Sequence, residues 1–280
     1  MHNTPDHWLS FFPSPKPEGH KYDRGVALVY GGAHMTGAAR LAVRAAQRIG
    51  AGLVVLASPD SAISIYAETL ESVILLRTNN FPEWQSAVNA AKHTVILIGP
   101  GLGLDSEHKQ YVLAALATGK PCVLDADALT IFADDPDQLF LKLHPHCILT
   151  PHEGEFQRLF GKQVDATAEK SMRAKHAAKM ANCIVLLKGA ETVIAAPDGQ
   201  MIINNNAPPW LATAGSGDVL AGLTLGLMAQ KMPIFWSAAA ATWLHGDIAN
   251  HFGVGMIAED LVSGIPAALQ RLLVSAVSTP

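Results

Sequence analysis

Short apolar runs of four or five residues alternate along this chain with longer segments whose apolar positions recur every three or four residues. The runs predict buried strands and the longer segments amphipathic helices. Residues 26–30 form an apolar run that ends in Gly31-Gly32. Thr36-Gly37 then opens a helix with Leu41, Ala45 and Ile49 at four-residue spacing, Gly50 and Gly52 close it, and 53–57 is the next strand. A strand, helix, strand unit of this kind builds a parallel sheet. The alternation predicts further strands at 73–76, 95–98, 121–124, 147–150 and 184–187, with helices at 82–91, 107–116, 167–181 and, after the loop 151–155, through Phe160. Residues 192–196 and 201–203, with Asp198-Gly199 between them, read as an antiparallel hairpin. Three helices, at 218–230, 233–251 and 258–273, finish the pattern. Residues 1–24, broken by Pro5, Pro13, Pro15 and Pro17, read as a loose leader whose Trp8, Phe11 and Phe12 are available to dock on the body or on a neighbouring subunit. With no linker and no repeat after it, 25–280 reads as a single domain.

Composition narrows the class. Hydrophobic residues make up 49% of the 280 positions and charged residues 16%, enough to bury a large core and too apolar for disorder. A net charge of -4 gives no reason to expect nucleic acid or an anionic membrane as partner. No apolar run reaches the roughly 18 residues of a membrane span; the alanine-rich segment 234–244 leads into His245 and Asp247. The start of the chain lacks the basic and apolar regions of a signal peptide. Cys122, Cys147 and Cys183 each lie in or beside a strand-like run, which reads as three buried free thiols in a reducing compartment, the cytoplasm.

The chemistry gathers where strands end. Gly31-Gly32, Gly101 and Gly103, Asp125 and Asp127, His152 and Glu155, and Lys188 each follow a predicted strand, and in a parallel sheet such loops share one edge. Asp125 and Asp127 could bind a metal or a ribose, or cap the following helix. His152 sits in a dense polar loop that favours contact with a ligand. In Thr213-Ala214-Gly215-Ser216-Gly217-Asp218, small residues precede an apolar helical run, so the helix start offers free backbone N–H groups and the positive end of its dipole to an anion, with Asp218 at the rim as a base or as a helix cap. An anion hole, a lysine and several carboxylates suit phosphate chemistry. Neither G-x-G-x-x-G nor a Walker A sequence is present.

The ordered segments Thr36-Gly37-Ala38-Ala39, Gly99-Pro100-Gly101-Leu102-Gly103, Leu124-Asp125-Ala126-Asp127, Thr150-Pro151-His152-Glu153-Gly154-Glu155, Lys188-Gly189-Ala190-Glu191-Thr192 and Gly215-Ser216-Gly217-Asp218 resemble the ribokinase-like superfamily, and within it the ADP- or ATP-dependent NAD(P)H-hydrate dehydratases of the stand-alone bacterial type. The resemblance covers roughly residues 20 to 272. It implies a three-layer α/β sandwich, with a mostly parallel central sheet between helices. It implies the repair of hydrated NADH or NADPH (NADHX or NADPHX) with ADP, or ATP, and Mg²⁺. Asp218 would be the base, and Gly215, Ser216 and Gly217 the anion hole. Lys188, Gly189, Ala190, Glu191, Thr192 and Gly217 would contact the nucleotide. Gly37, Ala38, Ala39, Gly101, Gly103, His152 and Asp218 would contact the hydrate, and Glu155 would organise the metal through water. A separate epimerase is the implied functional partner, since the 24 leading residues leave no room for a fused one, and a homotetramer the implied assembly. The chain departs from the family at Ser216 (usually threonine), Ala214 (usually glycine), Tyr22 (usually glycine) and at Pro208-Pro209-Trp210-Leu211, where a glycine-methionine approach to the anion hole is usual. A vitamin B1 precursor kinase of the same superfamily would carry asparagine at the place of His152, and a regulator without turnover would lack Asp218.

Overall fold

A computed structural model describes residues 1–277, with side chains as far as 274. The first half of the chain winds β1 (Val26–Tyr30), α1 (Thr36–Arg48), β2 (Leu53–Ser58), α2 (Asp60–Ala67), β3 (Ile74–Arg77), α3 (Phe81–Asn89), β4 (Val95–Ile98), α4 (His108–Ala117) and β5 (Cys122–Leu124). Two short helices, α5 (Asp127–Thr130) and α6 (Pro136–Phe140), precede β6 (Cys147–Leu149), α7 (Glu153–Phe160), α8 (Lys170–Ala181) and β7 (Ile184–Leu187). The hairpin β8 (Thr192–Ala195) and β9 (Met201–Asn204) leads to α9 (Ser216–Ala229), α10 (Ile234–Phe252) and α11 (Ala258–Val277).

The nine strands form one sheet in the order β3-β2-β1-β4-β5-β6-β7-β8-β9. All pairs from β3 to β7 are parallel, and β8 runs antiparallel to both of its neighbours. The chain leaves β1 toward β2 and β3 and then crosses back to β4, so the sheet reverses its winding between β1 and β4. That reversal opens a crevice beyond the strand ends, the usual place for a ligand in such sheets.

Strand pleating sorts the core into two layers. Ala27, Val29, Leu56, Leu97, Val123 and Leu186 face α1, α9, α10 and α11. Val26, Leu28, Ile96, Leu124, Leu149 and Leu187 face α3, α4, α7 and α8. Helix α9 is central and buried along most of its length. Its Gly222 presses on the α1 backbone, where an added Cβ would stand 2.2 Å from the Ala42 carbonyl oxygen. Only glycine permits this approach, and it sets the position of the α9 N-terminus over the sheet edge.

The expected elements are present within a few residues of their expected bounds. Helix α8 starts at Lys170 rather than 167, because Asp165 draws the Thr167 N–H and hydroxyl into a local turn. Helices α2, α5 and α6, of 8, 4 and 5 residues, are too short to show a period; α2 buries only Ala62 and Tyr66.

The leader is not loose. His2 pairs with Ile203 beside β9, and Asn3 N–H and Ile203 N–H donate to Ile203 and Met1 carbonyls at 2.8 and 2.9 Å. Trp8 is wholly buried, edge-on to Trp243, and Phe11 stacks on Trp236. Docking covers apolar area and an otherwise open sheet edge, and this outweighs the prolines' refusal of regular structure. The three cysteines are free and buried, as expected. Among the described residues no helix is long and apolar enough to cross a membrane.

Candidate active site

The loops after β1, β4, β5, β6 and β7 emerge on one sheet edge, and the start of α9 joins them. Gly32 lies against the Gly101 carbonyl with no room for a side chain between them, so the two loops at the winding reversal touch. Gly103 N–H donates to Asp127 Oδ2 at 2.9 Å, which ties the β4 loop to the β5 loop. Two non-glycine residues here have positive φ, Met35 at 44° and Ala126 at 51°. Such conformations cost of order 1–3 kcal/mol and persist where the surroundings hold them.

At the centre, Lys188 Nζ donates to Asp125 Oδ1 at 2.8 Å across 63 residues of sequence. Burial works against the Lys188 charge, but Asp125, Glu155 and Asp218 outweigh it and hold the proton more tightly than in an ordinary lysine. Neither Asp125 nor Asp127 caps α5; the cap position is Ala126 and no side chain bonds there. Asp125 is instead the counter-ion of Lys188, and Asp127 an acceptor for the glycine loop.

The α9 N-terminus faces this pair. Its cap residue, Gly215, has φ 85° and no side chain closes the helix end. The N–H groups of Gly217 and Asp218 lie in the first turn, where a helix supplies no carbonyl partner. Lys188 Nζ lies 3.4 Å from where a Gly217 Cβ would stand, so the ammonium and the helix end converge on one place. Asp218 makes no cap bond. Burial pushes its carboxyl up, Asp125 adds to the shift, Lys188 opposes it, and the result is a pKa of about 7. A carboxylate near neutrality is a well-matched general base.

Other expected site residues have local partners. His152 is the α7 cap: its Nδ1 accepts from Gly154 N–H and Glu155 N–H at 2.9 and 3.3 Å, and Glu155 Oε2 accepts from His152 N–H at 2.8 Å. Its ring is 55% exposed, which leaves an open face toward a ligand. Glu155 is buried, which raises its proton affinity against the pull of Lys188. The loop 188–192 is held by Lys170, whose Nζ donates to the Lys188 and Glu191 carbonyls at 3.0 and 2.5 Å. Gly37 and Ala38 open α1 beside the crevice, whereas Ala39 is fully buried in the core. Among the described residues no three histidine, cysteine, aspartate or glutamate side chains converge as a metal site.

Sequence reasoning missed one residue of this region. His245 lies inside α10, buried, with no hydrogen-bond partner for its Nε2 among the described residues, and burial, with Lys188 adding to it, pushes its pKa down to about 4. Its only sequence signal is a histidine in the middle of an apolar helix.

Comparison with known proteins agrees with this arrangement. The family profile of the NAD(P)H-hydrate dehydratases matches residues 26–267. A curated relative from Bacillus subtilis (strain 168), an ADP-dependent (S)-NAD(P)H-hydrate dehydratase, is 32% identical over 278 residues, 96% of this chain and 97% of its own. A crystal structure of the ADP/ATP-dependent NAD(P)H-hydrate dehydratase from Bacillus subtilis, co-crystallized with ATP/Mg²⁺, superposes with a TM-score of 0.82 at 29% identity, covering 97% of this chain and 98% of that one. A bifunctional NAD(P)H-hydrate repair enzyme from Salinibacter ruber is 37% identical over 92% of this chain, which spans 50% of that relative's length. With the profile spanning the sheet from β1 into α11, and with the winding reversal, the Lys188–Asp125 pair and the open α9 terminus all in place, the chain belongs to the NAD(P)H-hydrate dehydratase family.

Proposed function

We propose that the chain catalyses the ADP-dependent dehydration of hydrated NADH and NADPH, releasing AMP and phosphate. The observation that carries this reading is Asp218, a carboxyl poised near neutrality at the open end of α9 and facing Lys188. Hydroxide is a poor leaving group and phosphate a good one. Asp218 takes the proton of the C6 hydroxyl, and the oxygen attacks the terminal phosphorus of ADP. The Gly217 and Asp218 N–H groups and the Lys188 ammonium stabilise the charge that develops on the transferring group. The ring nitrogen then expels phosphate from C6, and loss of a C5 proton restores the double bond. ATP in place of ADP would give ADP and phosphate.

Gly37, Ala38, Gly101, Gly103 and His152 line the side of the crevice that suits the hydrate, and residues 188–192 the side that suits the nucleotide; at buried Ala39 any contact is through the backbone. The carboxylates would suit a Mg²⁺ supplied with the nucleotide phosphates; Glu155 would help to hold it through water, and the ion would offset phosphate charge. A separate NAD(P)H-hydrate epimerase working on the same pool, a homotetrameric assembly and a cytoplasmic location complete the reading.

The direct test mixes purified protein with hydrated NADH, ADP and Mg²⁺ and follows the return of reduced-nicotinamide absorbance. Absence of turnover with both ADP and ATP would refute the reading. His152→Asn is expected to keep the α7 cap, since asparagine caps well, and to raise the hydrate KM about tenfold by loss of ring contact, roughly 1.4 kcal/mol. A rise confined to the ADP KM would place His152 on the nucleotide side instead.

A further inference from the structure

The turn between β7 and β8 carries the loop that suits the nucleotide, and its own backbone does not close it. Gly189, Ala190 and Glu191 are exposed, and among the described residues no backbone hydrogen bond joins positions 188 to 191 to one another. Thr192 Oγ1 donates to the Gly189 carbonyl at 3.3 Å, and Lys188 N–H donates outward to the Pro151 carbonyl at 2.9 Å. The group that spans the turn is the ammonium of Lys170, which donates to a carbonyl at each end, those of Lys188 and Glu191. Glu153 Oε1 lies 3.7 Å from the same nitrogen, and Arg173 holds that carboxylate by both oxygens, at 2.8 and 3.0 Å. Gly189 makes the room: a Cβ there would stand 2.4 Å from Lys170 Nζ. Its φ is not positive, so the missing side chain is a matter of space and not of conformation.

Lysine is a poor first residue for α8 on local grounds. The positive end of the helix dipole lies there, and the side chain is only 18% exposed, which weakens the ammonium's hold on its proton. What offsets both is the set of acceptors around it, enough for all three ammonium donors. Gly189 and Ala190 have no polar side chain. Their polar contacts with a nucleotide are made by backbone atoms, and depend on where the turn is held. We propose that Lys170 is a positioning residue for nucleotide binding: its ammonium, bonded to the Lys188 and Glu191 carbonyls, fixes the 189–191 turn in the form that receives ADP. The proposal rests on the dehydratase reading for the identity of that nucleotide. Lys188 Nζ is anchored separately, by Asp125 at 2.8 Å, so loss of Lys170 acts on binding and spares the transfer step.

ADP affinity is read by calorimetric titration without hydrate, and again as the ADP KM. Lys170→Met keeps the stem and removes the donors. It is expected to weaken ADP binding about tenfold, the scale of leaving a binding turn unordered. The hydrate KM should stay within about twofold of wild type, and kcat at saturating ADP within about threefold. Lys170→Arg, whose guanidinium can donate to both carbonyls, is expected to bind ADP within about threefold of wild type. Gly189→Ala pushes the ammonium off the carbonyls with its charge still present, and should weaken ADP binding about as much as Lys170→Met. In the Lys170→Met background the same alanine should add less than about twofold, because no ammonium remains to displace. Unchanged ADP affinity in Lys170→Met, even with a lower melting temperature, overturns the proposal. So does full additivity of the two changes, which would make Gly189 a contact of ADP independent of Lys170. Should Lys170→Met fail to fold, wild-type ADP affinity in Gly189→Ala overturns it instead. Should wild type bind ADP without turning over the hydrate, the dehydratase reading falls and the titrations decide the role of Lys170. Should wild type bind no ADP, both fall.

Discussion

Replacing Asp218 with asparagine is expected to lower kcat by roughly 10²- to 10⁴-fold, the contribution of a positioned base, while ADP still binds. In the wild type the base must be ionised to accept the hydroxyl proton. With a pKa of about 7, activity should climb as pH rises through neutrality, and the variant should lose that limb. Stability should move the other way. An aspartate is ordinarily near 3.8, so between about pH 4 and pH 7 the folded protein holds a proton that the unfolded chain has released. Stability therefore falls as pH rises across that window, and above it the folded state carries the full cost of a buried, crowded carboxylate. Asparagine keeps the shape and removes the charge. The variant should match wild type in unfolding free energy near pH 4 and exceed it at pH 8, by something on the order of 1–4 kcal/mol once solvent screening is allowed for. Near-normal turnover in the variant would shift the search for the base to Asp125, Asp127 or Glu155. A stability difference independent of pH would contradict the raised pKa.

A loss of activity joined to a gain of stability is the signature of a group held in place for chemistry. A helix-capping aspartate would show neither, because asparagine caps about as well. The structure already removes that alternative geometrically, since the cap position of α9 is Gly215 and no side chain bonds there.

What the sequence reveals about this site depends on the range over which its interactions act. Local patterns carry the strands, the glycine loops and the Gly215 to Asp218 turn, because each is fixed by residues a few positions apart. The partnership of Lys188 with Asp125 spans 63 residues, and no spacing rule reaches it. Asp125 therefore reads equally as a metal ligand, a ribose contact or a cap, and only the neighbouring strands β5, β6 and β7 decide. The N-terminal segment misleads for a related reason. Its prolines exclude regular structure, which is a local fact, but its order comes from Asn3 and Trp8 meeting β9 and α10 some 200 residues away. His152 shows a third limit. A serine or threonine three positions before Glu155 would read at once as a capping box; a histidine in the same role reads first as a ligand group, and the ring does leave an exposed face for one. His245 has almost no signal of its own, since its burial arises from what α10 lies against.

The Lys188–Asp125 pair supplies the second large effect. Asp125 is 2% exposed, so Lys188→Met leaves a buried carboxylate with its counter-ion gone. Breaking a buried pair in this way costs about 3–5 kcal/mol. Methionine keeps most of the stem's packing, so the loss should be electrostatic and pH-dependent. In the wild type, the Lys188 proton is held more tightly than usual, and its stabilising contribution is fully present below the ordinary lysine range and lost only above it. Between pH 5 and pH 9 that contribution is constant. In the variant the buried Asp125 charge has no counter-ion, and acidification, which removes such a charge, relieves the cost. The deficit against wild type should therefore be small near pH 5 and largest near pH 8, as followed by thermal or urea unfolding. Activity should report two further changes. The ADP KM should rise about 10- to 100-fold, roughly 1.4–2.7 kcal/mol of lost charge-assisted binding. The rising limb of the pH profile should also move to higher pH, because Lys188 is the group that restrains the Asp218 proton affinity. The double variant Lys188→Met, Asp125→Asn separates the two roles. It removes the stranded charge and should regain most of the stability, yet it restores no cation opposite Gly217 and should keep the high ADP KM. An ADP KM unchanged in both variants would remove Lys188 from the nucleotide site and leave the pair a purely structural clasp between β5 and β7.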